Sequence, residues 1–151
     1  MHRVYVCTSQ SNKWYVGVTS KPLSVRLGEH IQGIGSAWTL TYPPDSIFLH
    51  KEFPTRREAN VEETSHTLEL MRIHGSENVR GGRYIAVTLS PFDYKCLSKE
   101  MAHNYSLCYK CLQSGHSSRQ CHNSQLCGAL TKTGSKCKWP TLECPHHLRL
   151  S

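Results

Sequence analysis

The chain has 151 residues, with 18 Lys and Arg against 11 Asp and Glu, a formal net charge of +7 at pH 7. Hydrophobic residues make up 38% and charged residues 19%, which excludes wholesale disorder. No apolar run approaches the roughly 18 residues a membrane span needs. The cationic excess favours an anionic partner such as nucleic acid. The start, Met1-His2-Arg3-Val4-Tyr5, has no apolar h-region, so a secretory signal is not expected and a reducing, intracellular compartment is.

Charge and cysteine divide the chain. Residues 1–92 carry a net charge of +2 and residues 93–151 a net charge of +5. Six of the eight cysteines lie between Cys108 and Cys144. The first part has enough apolar residues for a core. The second does not, and needs disulfides or metal; a reducing compartment favours metal.

In chain order, Val4-Tyr5-Val6-Cys7 and Trp14-Tyr15-Val16-Gly17-Val18-Thr19 are β-rich runs around a polar turn, Ser9-Gln10-Ser11-Asn12-Lys13, which predicts a hairpin. Ser20 is the expected N-cap of a helix with Pro22 in its first turn, ending near Ile31. Leu23, Leu27 and Ile31 form its apolar stripe; Arg26 and His30 share the adjacent one. Pro43-Pro44-Asp45 marks a loop, and Ile47 to Phe53 a third strand. Thr55-Arg56-Arg57-Glu58 is a capping box opening a helix through Ala59, Glu63, Leu70 and Met71 to a stop at Gly75. Asn78-Val79-Arg80-Gly81-Gly82 reads as a basic, flexible loop. Cys7 reads as a buried small hydrophobe. A short helix is expected over Leu97–His103.

Cys108, Cys111, His116 and Cys121 have the spacing C-x2-C-x4-H-x4-C of a zinc knuckle. Fourteen residues cannot bury a core, so a tetrahedral Zn²⁺ must supply the folding energy. Tyr109, Lys110 and Arg119 are its candidate contacts with nucleic acid. Cys127, Cys137, Cys144 and His147 form a second candidate zinc site, with His146 competing as fourth ligand. Lys136 and Lys138, with Lys132 and Trp139, are its candidate contacts with nucleic acid.

The order of Tyr5, Tyr15-Val16-Gly17, Arg26, His30 and a later helical glutamate resembles the GIY-YIG nuclease family. The stretches Gly35-Ser36-Ala37-Trp38-Thr39, His74-Gly75 and Asn78 to Gly82 resemble the members whose catalytic domain precedes a CCHC knuckle. Both name-giving tripeptides are altered here, to Val4-Tyr5-Val6 and Tyr15-Val16-Gly17, and Val18 stands where some relatives have lysine. The resemblance implies an α+β fold: a small catalytic domain with a three-stranded mixed sheet flanked by helices, followed by two zinc-binding modules. The expected layout is a nuclease domain over 1–92, a linker over 93–106, the knuckle over 107–122 and the second module over 126–149.

The resemblance also implies metal-dependent hydrolysis of DNA phosphodiesters, one strand per site. Glu63 would hold one Mg²⁺ or Mn²⁺. Alanine four residues before the glutamate is the family signal that selects it, and neighbouring Glu62 faces about 100° away on a helix. Arg26 would bind phosphate, and Gly17, Asn78 and Arg80 would contact substrate. His30, helped by Tyr15, is expected to orient or deprotonate the attacking group, although the general base stays open among Tyr5, Tyr15 and His30. A free tyrosine costs about 4 kcal/mol to ionise at pH 7, whereas histidine has an ordinary pKa of about 6.5. DNA is the expected partner, whether duplex, nicked, branched or single-stranded, in the nucleus or another DNA-containing compartment. A dimer or protein partner would be needed for paired cuts. The alternatives are a non-catalytic nucleic-acid binder on a degenerate nuclease fold and an adaptor working through the second module.

Overall fold

A computed structural model describes residues 1–121. The chain divides into two compact units, Met1–Leu89 and the part from Ser90 onward. Among the described residues, no helix is long and apolar enough to cross a membrane.

The first unit is built on β1 (His2–Ser9) and β2 (Lys13–Thr19), an antiparallel hairpin in which Asn12 takes a positive φ of 55° in the turn. Helices α1 (Leu23–Ile31) and α2 (Ala37–Thr41) follow, then β3 (Ser46–Phe53) and α3 (Arg56–His74). The two-residue β4 (Val79–Arg80) closes a sheet of order β3-β1-β2-β4. β3 is antiparallel to β1, and β4 is parallel to β2, so the sheet is mixed and has four strands rather than three. The expected flexible loop at 78–82 supplies the extra strand. Val79 and Arg80 are buried there, which their glycine-rich flank does not announce.

Alternation sorts the hairpin's side chains. Tyr5, Cys7 and Tyr15 cluster with Trp38 on one face, with Leu23, Tyr42, Ile47 and Val87 packed around them. Val4, Val6 and Val16 point to the other face and are fully buried, and α3 lies against β1 and β2. Burial pushes the Cys7 thiol up to about 12, consistent with a buried hydrophobe.

The helix ends follow local chemistry with one exception. The Thr55–Glu58 capping box opens α3 and Gly75 ends it. The α1 N-cap is Pro22, not Ser20, and no side chain caps it. The apolar stripe expected to anchor α1 is also only partly used, since Ile31 is exposed and the helix's buried residue is His30. Helix α2 adds an element not expected from the sequence, held by a reciprocal Ser36–Thr39 capping box.

In the second unit, α4 spans Pro91–Asn104, twice the length the sequence pattern predicts. Ser90 and Asp93 form its capping box and Pro91 sits at its first turn, a start signal that lies upstream of the apolar residues. A short 3₁₀ turn covers Ser118–Gln120.

Candidate active site

The site is assembled from β1, β2 and α1. The register places Gly17 opposite Tyr5 and Tyr15 opposite Cys7. A Cβ on Gly17 would lie 2.5 Å from the Tyr5 hydroxyl and 2.9 Å from Tyr15 Cε1. Glycine here is the space that lets two phenols share one face. Its observed part is packing around them.

Helix α1 delivers Arg26 and His30, one turn apart, to that face. Arg26 Nε donates to the Tyr5 oxygen at 3.0 Å. The Tyr5 oxygen lies 2.9 Å from His30 Nε2, and His30 Nδ1 lies 2.8 Å from Thr39 Oγ1. Tyr5, Tyr15 and His30 form a three-ring cluster with centroids 5.4–6.4 Å apart. Arg26 Nη1 also donates to Glu29 Oε2 at 2.7 Å, and the other Glu29 oxygen pairs with Lys21.

Burial sets the proton states. It pushes the Tyr5 pKa well above the ordinary phenol value, with Tyr15 adding to the rise and Arg26 opposing it. It also raises Tyr15, and the Glu63 charge adds to that rise. Burial lowers His30 to about 4, with Arg26 adding to the drop. His30 is therefore a neutral imidazole at pH 7. Tyr5 is fully buried, whereas Tyr15 keeps 9% of its surface exposed.

Glu63 and Glu62 diverge as their helical angle requires. Glu62 Oε1 is taken up by His50 Nε2 at 2.8 Å. Glu63 is half-buried. Burial raises its pKa, while the Gly82 amide and the Arg56 charge oppose the rise. Its charge acts on Tyr15.

The substrate contacts expected on 78–82 have other work in this structure. Arg80 is 2% exposed. Its guanidinium lies 4.4 Å from the Trp38 ring centroid and donates to the carbonyls of Ser76, Val79, Ala86 and Val87. A buried arginine here ties β4 and the following turn to the core. Asn78 Oδ1 accepts from Lys13 Nζ at 2.8 Å, and Asn78 Nδ2 donates to the His74 carbonyl at 2.8 Å.

The reading of the sequence missed Ser36, Thr39 and Glu29 as site residues. Two signals were present: the Ser36-x-x-Thr39 box directly after Gly35, and Glu29 three residues after Arg26 on one helix.

In the second unit, one ligand atom from each of Cys108, Cys111, His116 and Cys121 lies within 4.8 Å of the others. This is the one such group of three or more metal-ligating residues among the described residues. Three thiols and an imidazole at this spacing fit a closed tetrahedral Zn²⁺ site. Leu112 and Gly115 take positive φ of 54° and 92° to fold the chain around it. Burial raises the Cys108 thiol, but the amides of Cys111 and Lys110, with the Cys111 and Cys121 side chains, bring its pKa down to about 7, while burial and these neighbouring thiols push Cys121 up to about 11. Tyr109, Lys110 and Arg119 are exposed. Cys127, Cys137, Cys144, His146, His147, Lys136 and Lys138 lie outside the described residues.

Residues 1–71 match the GIY-YIG catalytic domain. No curated protein and no solved structure matches the chain. The chain thus carries a GIY-YIG nuclease domain, and a Cys₃His cluster at 108–121 points to a C-terminal zinc module. The domain implies nucleic acid as substrate and a divalent metal as cofactor.

Proposed function

We propose that the protein is a metal-dependent DNA endonuclease that cuts one strand per active site, with the zinc knuckle helping to hold the nucleic acid. The observation that carries this reading is the hydrogen-bonded set Arg26–Tyr5–His30, with Tyr15 beside it and the charge of Glu63 acting on Tyr15. A surface of ordinary strand aromatics has no need of a half-buried arginine hydrogen-bonded to a buried phenol–imidazole pair.

The donor set around Glu63 fits a hydrated hard cation. It offers a single half-buried carboxylate, and no three-ligand cage surrounds it among the described residues. Mg²⁺ and Mn²⁺ accept one carboxylate, with water and substrate phosphate completing the shell. When bound, the ion supplies charge to the phosphate and lowers the pKa of adjacent water.

The chain's own residues do the rest. Arg26, held by Tyr5 and Glu29, presents its remaining guanidinium edge to a phosphate oxygen. Tyr15 is the phenol that keeps surface exposure and feels Glu63, so it orients the attacking water. His30, neutral and buried, receives the Tyr5 hydroxyl rather than the water. In the second unit, Tyr109 offers a stacking face, and Lys110 and Arg119 offer charge to the backbone.

Cleavage of supercoiled, linear and branched DNA with Mg²⁺ or Mn²⁺, and with EDTA, tests the reading against Glu63→Gln. Metal-dependent nicking that falls at least a hundredfold in the variant is the expected result. Cutting that survives the swap moves the metal to another carboxylate. No cutting by folded, zinc-loaded protein that still binds DNA replaces the enzyme with a binding module.

A further inference from the structure

Tyr5 is 0% exposed, so its hydroxyl proton must find an acceptor inside the protein. Among the described residues, two groups lie within hydrogen-bonding distance of that oxygen, Arg26 Nε at 3.0 Å and His30 Nε2 at 2.9 Å. Arginine is a donor only. The Tyr5 proton therefore goes to His30 Nε2, which must be bare. A neutral imidazole with a bare Nε2 carries its proton on Nδ1, and Nδ1 faces Thr39 Oγ1 at 2.8 Å.

Thr39 is built to receive it. Its hydroxyl donates to the Ser36 carbonyl at 3.1 Å and accepts from the Ser36 amide at 3.1 Å; with the Ser36 hydroxyl, 3.2 Å away, paired instead with Tyr15, one lone pair is left for His30. The turn leaves no slack, since a Cβ on Gly35 would fall on His30 Nδ1. The proton order is then Tyr5 O–H to His30 Nε2, His30 Nδ1–H to Thr39 Oγ1, and Thr39 O–H to the Ser36 carbonyl.

We infer that Thr39 is a positioning residue that locks His30 in the Nδ1–H form and, through Tyr5, fixes the orientation of Arg26. The opposite tautomer would aim an imidazole N–H at the Tyr5 oxygen. The phenol proton would then be turned against the Arg26 N–H, donor against donor, and Arg26 would keep only its Glu29 partner. The role in cleavage rests on the endonuclease reading; the tautomer assignment does not.

The test measures both separately. Imidazole ¹⁵N shifts of His30 at pH 7 report the tautomer directly, with no variant and no activity. Wild type should show Nδ1 protonated and Nε2 bare, and an Nε2–H form overturns the inference. Thr39→Val, shown folded by circular dichroism, should lose the single tautomer. Its cleavage rate should fall about tenfold at saturating DNA, with DNA affinity within twofold of wild type. Thr39→Ser, which keeps the hydroxyl and serves if the valine variant does not fold, should restore both. Unchanged His30 shifts, or an unchanged rate, in Thr39→Val overturns the role. Wild-type protein that shows the Nδ1–H form yet cuts no DNA sinks the endonuclease reading and leaves the tautomer assignment standing.

Discussion

The two units hold their polar groups by opposite means. In residues 1–89, Tyr5, His30, Thr39 and Arg80 are buried, and the groups they meet are supplied by the fold itself. In the second unit, three sulfurs and an imidazole are brought within 4.8 Å of one another. That arrangement fits a cation, which would bind the sulfurs as thiolates and offset their mutual repulsion. The first unit is organised by burial; the second gathers a Cys₃His cluster that fits an ion. A large domain can bury polar chemistry because its apolar sheet faces offset the desolvation. A fourteen-residue loop cannot.

The strongest way to break this comparison is to remove zinc. Structural Zn²⁺ contributes on the order of 10 kcal/mol to folding in comparable peptides. Chelation, or Cys111→Ser, should therefore abolish the fold of residues 108–121 while the amide spectrum of residues 1–89 keeps its dispersion. Collapse of the first unit's spectrum on chelation would contradict the division.

Arg80 sharpens it next. Arg80→Met keeps the stem but leaves buried carbonyls without donors, each costing about 1–3 kcal/mol. Denaturant unfolding should show a loss of about 4 kcal/mol or more over the four carbonyls, while DNA affinity of the folded variant stays within twofold. A large affinity loss with unchanged stability would return Arg80 to the substrate surface.

His30 gives a pH signature of similar size. Its folded pKa, about 4, lies below the ordinary 6.5. The fold therefore favours the neutral ring. That stabilisation is fully present above pH 6.5 and is lost as pH falls through 4, because the unfolded chain takes up the proton first. The shift corresponds to about 3 kcal/mol. His30→Gln should flatten the decline in stability between pH 6.5 and 4, and an unchanged slope would show that His30 does not carry it.

The smallest expected effect is at Gly17. Gly17→Ala places a methyl against two ring systems, and overpacking of this kind costs about 1–3 kcal/mol. The predicted fall in melting temperature should come with a changed tyrosine fluorescence. A neutral substitution would mean that the phenols have room to move.

Much of the fold was legible because it is set locally. The hairpin follows from two β-rich runs and a polar turn, and α3 from a capping box and a terminal glycine. The knuckle cysteines were legible because ligand spacing is itself a geometric constraint. Asn78 to Gly82 misled because glycine and charge at the end of a segment look alike in a loop and in a short parallel strand. Only pairing with β2, distant in sequence, buries them. Helix α1 misled in the same way. Its leucine stripe suggested the buried face, but the sheet offers a tyrosine hydroxyl where His30 lands, and a hydrogen bond decides which face goes inward.

By itself the sequence determined the two-part division of the chain, the hairpin, the third strand, the capped helix, the Cys/His cluster at 108–121 and the GIY-YIG catalytic domain. These depend on composition, on short-range spacing and on residue order. The tertiary structure decided which glutamate acts on Tyr15, that Arg80 is a core residue, and which way the proton runs from Tyr5 through His30 to Thr39. Those outcomes depend on burial and on which donor meets which acceptor across the sheet. Neither is written in any local window of the chain.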